Sequence, residues 1–477
     1  MLKVKPQVPP ADAIVVGSGP NGLAAAIRLA QAGLKVVVLE AAETPGGGVR
    51  SAEITLPGFI HDTCSSVYPM AFSSPYLSTL PLEKHGLQWV FPPAAAAHPF
   101  DDGTAALLHK SLTETAAGLG SDRVGYEALL GDLAARAEKL FGAALAPIRA
   151  LKSPLLMASF GLRAMRSVRM IAHAYFKTEK ARGMFAGIGG HAMVPLEKLT
   201  SAASALILAT AAHAAGWPFV RGGSQNLTSA LIAVLSSLSG EVMTEWPVAS
   251  LDELPQTRLV LLDVTPRQFL RIAGDRVPGS YRRKLEKFRY GMGSFKIDWA
   301  LSQPVPWKAP ECRLAGTVHL GGSLDEIGES ERRAWRGEIA DRPYILFVQP
   351  SLFDSTRAPA GRHTAWGYCH VPNGYTGDMV DKIEQQVERF APGFRDCVLA
   401  RSVMGPKELE NRNPNLIGGD LGAGAMTPTQ LFLRPTTSLY RTPLAGVYLC
   451  SASTPPGPGV HGMCGYFAAE MALREVR

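Results

Sequence analysis

Residues 13–22 read AIVVGSGPNG, and residues 35–40 read KVVVLE. The four apolar residues that begin the first stretch predict a buried strand, and the glycines open residues 23–31, which consist largely of helix formers. Gly33 supplies a helix stop, and the apolar residues 36–39 predict a second buried strand that leads to Glu40. A strand, a glycine-rich turn, a helix and a strand in this order predict a dinucleotide-binding unit.

Each glycine of the turn has a physical role in that prediction. Gly17 permits the tight turn, Gly19 lets the backbone approach a pyrophosphate, and Gly22 lets the helix pack closely on the strand. The helix N-terminus faces the phosphates, and Glu40 accepts a hydrogen bond from a ribose hydroxyl. An acid at the end of the second strand favours FAD or NAD over NADP.

Two further glycine clusters favour FAD over NAD. Residues 46–51 read GGGVRS, and a turn of this kind brings backbone N–H groups and Arg50 against a phosphate. Near the end of the chain, residues 446–451 predict a buried strand, residues 455–462 a glycine-proline loop and residues 463–474 a helix. The positive N-terminus of that last helix would stabilise negative charge on a reduced flavin ring.

These motifs resemble the phytoene-desaturase-like branch of the flavin amine oxidase superfamily and, more narrowly, the group named after pyridine nucleotide-disulfide oxidoreductase domain-containing protein 2. The matching stretches are VVGSGPNGLAAAIRLAQAG, VVVLE and ETPGGGVRSAEITLPGF at the start, GWPFVRGGSQNLTSAL in the middle and GVYLCSASTPPGPGVHGMCGYFAA at the end. The resemblance covers nearly the whole chain. It implies non-covalent FAD and redox chemistry at the flavin on an apolar or amine-bearing substrate. Together, the motifs and the resemblance give these predicted cofactor-binding residues: Gly17, Gly19, Pro20, Asn21, Gly22, Glu40, Gly47, Gly48, Arg50, Val248, Ser453, Gly459, Val460, His461 and Gly462.

The chain carries one dinucleotide fingerprint, which shapes the predicted domain organisation. Flavoprotein disulfide reductases carry a second fingerprint for NAD(P)H, whereas here RGGSQNL at residues 221–227 leads into an amphipathic run. We expect an α/β fold in which a Rossmann-like FAD-binding domain is interleaved with an α+β substrate domain. The predicted FAD-binding domain comprises residues 1–75, 215–275 and 425–477, and the predicted substrate domain comprises residues 76–214 and 276–424.

Residues 241–254 depart from the desaturase pattern. Many desaturase relatives have a long hairpin at this place, whereas here the segment is short and EWPV at residues 245–248 is its only strand-like piece. The resemblance therefore leaves the contacts on the adenine side of the cofactor open.

Composition narrows the class of protein. The 477 residues are 46% hydrophobic, which is ample for sizeable cores, and no uninterrupted apolar run reaches the ~18 residues of a spanning helix. The N-terminus enters the first strand without a signal-peptide core, and the six scattered cysteines form no C-x-x-C pair. We therefore expect a cytoplasmic protein with reduced thiols and neither zinc nor a disulfide. The net charge of +7 does not indicate nucleic acid, because no recognition module is present.

Residues 139–178 form a basic segment that contains no Asp or Glu. Its cations are interleaved with leucines and methionines, a pattern that suits an amphipathic helical surface on an anionic membrane. The pattern equally suits the mouth of a channel for an apolar substrate, a solvated helical cap, or a contact in a homo-oligomer. The cations of this segment are Lys139, Arg149, Lys152, Arg163, Arg166, Arg169 and Lys177.

Few residues qualify for catalysis. His191 follows a glycine cluster in a turn predicted to face the flavin, where substrate positioning or proton transfer competes with a purely structural role. His461 lies in the C-terminal glycine loop, which the resemblance places beside the isoalloxazine ring. Further candidates for the walls and rim of the site are Trp217, residues 410–413, and His61 and Asp62, which either pair with each other or make separate buried hydrogen bonds.

Three functions are consistent with the sequence. The first is an FAD-dependent oxidoreductase that dehydrogenates an apolar substrate of the isoprenoid or carotenoid-like class by hydride transfer to flavin N5. A dry apolar slot suffices for that chemistry, which explains why no Ser/His/Asp or paired-carboxylate arrangement stands out. The second is a flavin amine oxidase, although Tyr440, Tyr448 and Tyr466 are not spaced to form an aromatic cage. The third is a non-catalytic flavin-binding regulatory protein. Oxygen and a quinone both remain open as the electron acceptor.

Overall fold

The computed structural model describes residues 7–147 and 153–475. Its strands are β1 Ala13–Val16, β2 Val36–Leu39, β3 Ser51–Ala52, β4 His61–Asp62, β5 Trp89–Val90, β6 Ala94–Pro99, β7 Ala105–His109, β8 Phe219–Val220, β9 Glu241–Met243, β10 Leu259–Leu262, β11 Gly293–Leu301, β12 Ala315–Leu320, β13 Ile345–Val348, β14 His363–Val371, β15 Val398–Met404 and β16 Val447–Leu449. Its α-helices are α1 Pro20–Gln31, α2 Pro69–Phe72, α3 Leu112–Gly118, α4 Arg123–Ala135, α5 Ala137–Ala144, α6 Pro154–Ala164, α7 Val168–Tyr175, α8 Glu179–Gly190, α9 Ser201–Ala215, α10 Gln225–Ser237, α11 Pro266–Ala273, α12 Gly279–Glu286, α13 Leu324–Arg336, α14 Val380–Phe390, α15 Phe394–Cys397, α16 Pro406–Arg412, α17 Pro428–Phe432 and α18 Met463–Glu475.

The first sheet is parallel, with the strand order β16-β10-β1-β2-β9. Alternate residues of β1 face opposite sides: Ala13 and Val15 pack in the hydrophobic core that contains α1, α10 and α18, whereas Ile14 and Val16 pack in the core that contains α11. Both faces are thus covered, which explains why its central strands are continuous apolar runs. The strands come from three separated stretches of the chain, and the glycine-rich turns lie beyond the carboxyl ends of the strands.

The second sheet is mixed, with the strand order β15-β11-β14-β13-β12-β6-β7. One face packs on α14 through a core that contains Trp299, Phe347 and Cys369. The opposite face is partly covered by the helical layer of α8 and α9, whose small residues let the helices approach closely. The combination of a parallel Rossmann-like sheet with a mixed sheet and helices confirms the expected α/β fold class.

One predicted strand is wrong. Residues 245–248 are not a strand; the edge strand of the first sheet is β9, which pairs with β2. Glu245 has a φ of 55°, a left-handed conformation that breaks an extended strand, and Pro247 has no N–H to donate to a ladder. The segment instead follows β2 through hydrogen bonds from Trp246 N–H to the Glu40 carbonyl at 2.8 Å and from Glu245 N–H to the Ala42 carbonyl at 3.1 Å.

The basic segment forms three short helices, α5, α6 and α7, and its Arg149 and Lys152 lie outside the described residues. Leu155 and Leu162 are 85% and 78% exposed, so this surface presents apolar side chains to its surroundings. Arg169 pairs with Asp325 at 2.6 Å, so one of the cations finds an acid from elsewhere in the chain. None of the helices in the described ranges is long and apolar enough to span a membrane.

Candidate active site: a dinucleotide cleft that continues into an apolar cavity

A cavity of 780 Å³ connects the glycine-rich turns of the first sheet with one face of the second sheet. Its walls combine backbone of the turns, polar side chains at one end and aromatic and aliphatic side chains at the other. The candidate site therefore has two ends. Glycine-rich motifs form the first end, and side chains from separate strands form the second.

At the first end, the glycine turn leaves no room for side chains. A Cβ at Gly22 would lie 2.1 Å from the Gly17 carbonyl oxygen, and one at Gly19 would lie 2.6 Å from Asp263 Oδ2. A Cβ at Gly47, in the second glycine cluster, would lie 3.0 Å from Gly19 Cα. Gly17 itself has a φ of 97°, which glycine adopts without strain. The two clusters therefore meet backbone to backbone and form a cradle of peptide groups.

The carboxylate of Glu40 holds this cradle in place through hydrogen bonds. Its Oε2 accepts hydrogen bonds from Ser18 N–H at 2.9 Å and Ser18 Oγ–H at 2.5 Å, while Oε1 accepts from Ala42 N–H at 2.9 Å. Ser18 Oγ in turn accepts from Gly46 N–H at 2.9 Å. A carboxylate has about four lone-pair sites, so Glu40, which lines the cleft, retains acceptor capacity for a ribose hydroxyl.

Two arginines supply positive charge beside the cradle. Arg50 donates to the carbonyls of Gly47 at 2.8 Å and Arg412 at 3.0 Å, and it has no carboxylate partner within the described residues. Burial, together with the nearby Arg412, lowers the pKa of Arg50 from its ordinary value. Both side chains line the cleft. Arg50 is buried and Arg412 is exposed, and a buried cation that lacks a carboxylate suits an anionic ligand such as a pyrophosphate.

The residues present therefore fit a dinucleotide. Helix α1 begins in the cradle at Pro20; its N-cap residue Gly19 makes no side-chain cap, and Asp263 Oδ2 accepts from Gly22 N–H in its first turn. The side-chain oxygen of Asn21 is buried there without a hydrogen-bond partner. The start of the helix, the glycine cradle and the two arginines together match the phosphate-binding chemistry predicted from the first glycine motif.

Most of the predicted cofactor-binding residues line this cleft, and four do not. Those that line it are Gly17, Gly19, Pro20, Asn21, Glu40, Gly47, Gly48, Arg50, Val248, Gly459 and Val460. Gly22 donates its N–H to Asp263 Oδ2 at 3.0 Å, and Ser453 donates its hydroxyl to the Ala423 carbonyl at 2.7 Å. A Cβ at Gly462 would lie 2.9 Å from Ala24 Cβ. Gly22, Ser453 and Gly462 therefore lie outside the lining of the cleft.

His461, predicted as a catalytic candidate, is the fourth residue outside the cavity lining. Its ring is buried, and Nδ1 accepts a hydrogen bond from Met463 N–H at 3.1 Å. Burial lowers the pKa of His461 to about 4. The ring therefore caps the start of α18 as a neutral group, and its Nε2 is buried without a hydrogen-bond partner, so its role towards a ligand stays a prediction.

Asp263 was not among the predicted site residues. It follows β10, lines the cleft and touches all three glycines of the first motif. Burial, with a smaller contribution from Glu40, raises the pKa of Asp263 to about 7. The signal for this residue was an acid directly after an apolar run, in a parallel sheet whose strand ends converge on the ligand.

His61 and Asp62 make separate buried hydrogen bonds rather than a mutual pair. His61 Nε2 lies 2.7 Å from Thr55 Oγ1, and its Nδ1 lies 3.6 Å from Asp298 Oδ1. Burial and the charge of Lys296 lower the pKa of His61 to about 3. Asp62 is buried and bound by Arg357; burial raises the pKa of its carboxyl, but the Arg357 charge and the hydrogen bonds from Ser66, Ser224 and Ser51 together lower it below its ordinary value.

The second end of the cavity lies on the face of the second sheet opposite α14. In register across β11, β14, β13 and β12, this floor carries two rows: Lys296, Tyr368, Leu346 and His319, and beside them Asp298, Trp366, Val348 and Thr317. Tyr368, Leu346, Trp366, Val348 and Thr317 line the cavity, and the other three residues lie at its margins. Trp366 and Tyr368 stack at 6.0 Å with an interplanar angle of 12°. Lys296 pairs with Asp298 and lies 4.8 Å above the Trp366 ring.

Helices α8 and α9 and the segment after them cover this floor. His191, at the end of α8, lines the cavity together with Leu208 and Trp217, as the sequence analysis expected for His191 and Trp217. The polar residues Asn411, Arg412 and Asn413 line it from the other side, whereas Glu410 binds Arg267 at 2.7 Å.

The three tyrosines considered for an aromatic cage lie outside the cavity lining. Tyr440 donates to the Pro455 carbonyl at 2.9 Å, Tyr448 donates to Glu475, and the Tyr466 ring packs 4.6 Å from that of Tyr76. The aromatic rings on the floor, Trp366 and Tyr368, stack on each other.

Comparison with known proteins supports the same fold and class of cofactor. A family profile described as an NAD(P)-binding Rossmann-like domain matches residues 15–80. The chain is 27% identical to pyridine nucleotide-disulfide oxidoreductase domain-containing protein 2 of Rattus norvegicus, with 98% of this chain and 94% of the relative covered. It is 25% identical to the neurosporene-forming phytoene desaturase of Rhodobacter capsulatus, with 95% of this chain and 92% of the relative covered.

A solved structure of a putrescine oxidase triple mutant superposes on this chain with a TM-score of 0.63 at 15% identity, over 98% of each chain. At this identity the likeness concerns the fold alone. The cofactor and the resemblance expected from the motifs are confirmed by the Rossmann-like match and the full-length relatives. The chain is thus a full-length homologue of phytoene desaturases and of pyridine nucleotide-disulfide oxidoreductase domain-containing protein 2, an oxidoreductase of the FAD-binding type with the fold of an amine oxidase.

Proposed function

We propose that the protein is an FAD-dependent dehydrogenase of an apolar substrate of the isoprenoid or carotenoid-like class. The observation that carries this proposal is the continuity of the cavity, which runs from the glycine turns to the aromatic and aliphatic floor. Trp366, Leu346 and Val348 offer mainly carbon to a ligand there. Such walls bind an apolar chain through burial of its surface, at about 25 cal/mol per Å².

The residues of the chain divide the work between binding and positioning. Arg50, Arg412 and the start of α1 would hold the phosphates of FAD, and Glu40 would hold its ribose. Bound FAD would supply a two-electron acceptor that takes a hydride at N5. The apolar floor would hold the reacting C–H bond within about 3–3.5 Å of that acceptor and exclude water. Neither task requires an ionised side chain.

The runner-up is amine oxidation, which the likeness in fold to a putrescine oxidase brings into consideration. A protonated amine needs a carboxylate or an aromatic cage. Among the described residues that line the cavity, the carboxylates are Glu40 and Asp263, and both lie at the glycine turns. The charge distribution therefore favours an uncharged substrate. A non-catalytic flavin-binding protein is the third alternative.

Anaerobic flavin reduction separates these functions. The FAD-loaded protein is mixed with phytoene or limonene in detergent, with benzylamine, and with NADH, and the absorbance of oxidised flavin is followed. Loss of absorbance with an olefin supports the proposal. Reduction by the amine alone would establish the amine oxidase, and NADH reduction at a rate on the order of 10 s⁻¹ would establish a nicotinamide-dependent enzyme instead. Inertness to every donor would leave a binding protein. Reoxidation by oxygen or by a quinone then identifies the acceptor.

We further propose that the surface of α6 and α7 contacts an anionic membrane, from which an apolar substrate would enter. Exposed Leu155 and Leu162 could insert between lipids, and Arg163 and Arg166 would face the headgroups. The alternatives are that this surface is a soluble cap or a contact between copies of the chain. The vesicle experiment below distinguishes membrane contact from both.

A further inference from the structure

Three histidines from separate elements lie in a row that ends at the cavity, where His191 is part of the lining. His191 Nε2, at the end of α8, is 3.0 Å from His319 Nε2 on β12, so one nitrogen donates and the other accepts. A Cβ at Gly187 would lie 2.9 Å from His319 Nδ1 and 3.0 Å from His98 Nδ1, so both nitrogens face this glycine. The row is thus His98, His319 and His191, packed around a position on α8 that only glycine can occupy.

The hydrogen-bond partner of the first ring sets the direction of the row. His98 Nε2 lies 2.6 Å from the carbonyl oxygen of Gly322, which can only accept, so Nε2 carries the proton. Burial lowers the pKa of His98 to about 4, so the ring is neutral at physiological pH and its Nδ1 is a lone pair. That lone pair is buried without a hydrogen-bond partner.

The second ring responds to the first. His319 Nδ1 is also buried without a hydrogen-bond partner, and it lies close to the same Cβ position on Gly187 as the His98 lone pair. A proton on His319 Nδ1 would put a positive N–H near that lone pair, whereas an unprotonated Nδ1 would put two lone pairs close together. The favoured tautomer of His319 therefore has its proton on Nδ1 and accepts at Nε2, and His191 is the donor across the 3.0 Å contact.

The third ring then presents a bare nitrogen. With its proton on Nε2, neutral His191 has a lone pair on Nδ1, for which the described residues provide no hydrogen-bond partner. Burial, with a smaller contribution from His370, lowers the pKa of His191 to about 3, so the ring stays neutral at physiological pH. His191 also lines the cavity. The apolar cavity thus contains a neutral acceptor held in one tautomer.

The position of this acceptor along the floor is defined by the sheet. Lys296, Tyr368, Leu346 and His319 are in register on consecutive strands, so His319 is three strand spacings, or about 14 Å, from Lys296. The Lys296 side of the floor is the one next to the glycine clusters, because Cys64, which lines the cleft beside Gly48, interacts with the charge of Lys296. His191 is therefore at the end of the floor away from the cofactor cleft.

We propose that His191 Nδ1 accepts a hydrogen bond from a hydroxyl group at the end of an otherwise apolar substrate, with His319 and His98 as positioning residues that fix its tautomer. An ammonium group is disfavoured, because the carboxylates of the described lining lie at the opposite end. The inference rests on the proposed function and narrows its substrate to a chain that carries a hydroxyl about 14 Å from the cofactor end of the floor.

The first test measures the tautomer and needs no substrate. FAD-loaded protein with ¹⁵N-histidine is examined by long-range proton–nitrogen correlation, and His191 is assigned from the spectrum of His191→Phe. We expect a neutral ring with its proton on Nε2, and a redistribution of that proton in His319→Phe. His363→Phe, in the same sheet but outside the cavity lining, should leave the His191 signal unchanged. A proton on Nδ1, or a charged ring at pH 7, would overturn the inference.

The second test measures what the acceptor recognises. Calorimetry on the FAD-loaded protein compares 1-dodecanol, methyl dodecyl ether and dodecylamine. We expect the alcohol to bind about three- to tenfold more tightly than the ether, the range for one hydrogen bond. His191→Phe should abolish that preference, His191→Gln should restore part of it, and His363→Phe should retain it.

The outcomes separate this inference from the function beneath it. Equal affinity for alcohol and ether, or tighter binding of the amine, would overturn the hydroxyl anchor even if apolar olefins reduce the flavin. Binding of none of the three probes would overturn both the anchor and the apolar-substrate function.

Discussion

The two sheets border the same cavity, but they contribute to it in different ways. The first contributes backbone: at Gly19, Gly22 and Gly47 a single added carbon would collide with a neighbour. The second contributes side chains such as Thr317, Leu346 and Trp366, which come from three strands and meet only through sheet register. The cofactor end is therefore specified by short contiguous motifs, and the substrate end by pairing between distant parts of the chain.

This difference predicts where the protein tolerates change. Replacing a residue of the floor alters the shape and polarity of the cavity while the backbone stays in place. A side chain in the glycine cradle would instead displace the backbone that the cofactor needs. Related chains could thus share the cleft and differ in substrate. The four predictions below test this division, beginning with the contact that joins the two parts.

The largest effect is expected at the buried ion cluster between the two sheets. Arg357 donates to Asp62 and to Asp354, both at 3.0 Å, and all three side chains are buried. Arg357→Met leaves two buried carboxylates without their cation, so the free energy of unfolding should fall by about 3–5 kcal/mol in urea titrations. Arg276→Met, which removes an exposed pair with Asp252, should cost less than about 1 kcal/mol. Similar losses in both variants would show that the cluster does not hold the sheets together.

Asp263 should give the apo-protein a distinctive pH dependence. Burial raises the pKa of its carboxyl to about 7, so the folded chain binds this proton more tightly than the unfolded chain. Its stabilisation is complete at low pH and is lost as pH rises from about 4 to about 7, by up to about 4 kcal/mol. Asp263→Asn should remove that slope from urea midpoints measured across this range. An unchanged slope in the variant would assign the titration to another group.

Glu40 tests whether the cradle holds the ribose as well as its own backbone. Glu40→Ala should weaken FAD binding by about 1–3 kcal/mol, the value of a hydrogen bond to a charged group, as measured by fluorescence titration of the apo-protein. Glu43→Ala, an exposed acid three residues later, is the matched control and should leave the affinity unchanged. Equal affinities for wild type and Glu40→Ala would limit Glu40 to its contacts with Ser18 and Ala42.

The smallest effect per residue is expected at the basic surface. Replacing Arg163, Arg166 and Arg169 with Gln should weaken binding to anionic vesicles by up to about 1 kcal/mol per charge, as measured by co-sedimentation. Added salt should also weaken the binding. FAD content should not change. The control variant replaces Arg282, Arg283 and Lys284 of α12 with Gln and should bind the vesicles as wild type does. If wild type ignores anionic and neutral vesicles alike, the surface is a soluble cap or a contact between copies.

The sequence was sufficient for the first sheet because its signals are local. The apolar runs at residues 13–16, 36–39 and 259–262 became neighbouring strands, and the glycine spacing identified the cleft. The edge strand β9 was misplaced because three residues pair there without a strong pattern, while the apolar Trp246 and Val248 next to it have side chains that pack outside the ladder.

The sequence was insufficient for the floor, because its residues acquire meaning only through register. His319 and Thr317 alternate with Val318 and Leu320, a pattern that predicts a half-buried strand but not the strands that flank it. His191 could be singled out from its glycine-rich turn, yet its partner His319 lies 128 residues away in sequence. The same limitation concealed the Asp263 contact with the glycine turn, which joins residues 241 positions apart.

The order of the strands in the first sheet has a consequence for biosynthesis. β16 closes one side of β10, yet it begins at Val447, whereas β1 and β2 are complete by Leu39. At a translation rate of about 5–20 residues per second, roughly 20 to 80 seconds separate their emergence from the ribosome. For roughly the last 10 to 40 seconds of that interval, after β10 has been synthesised, β10 has an unpaired edge, a surface that invites association with other nascent chains. The first sheet therefore stays incomplete until β16 has been synthesised and has paired with β10.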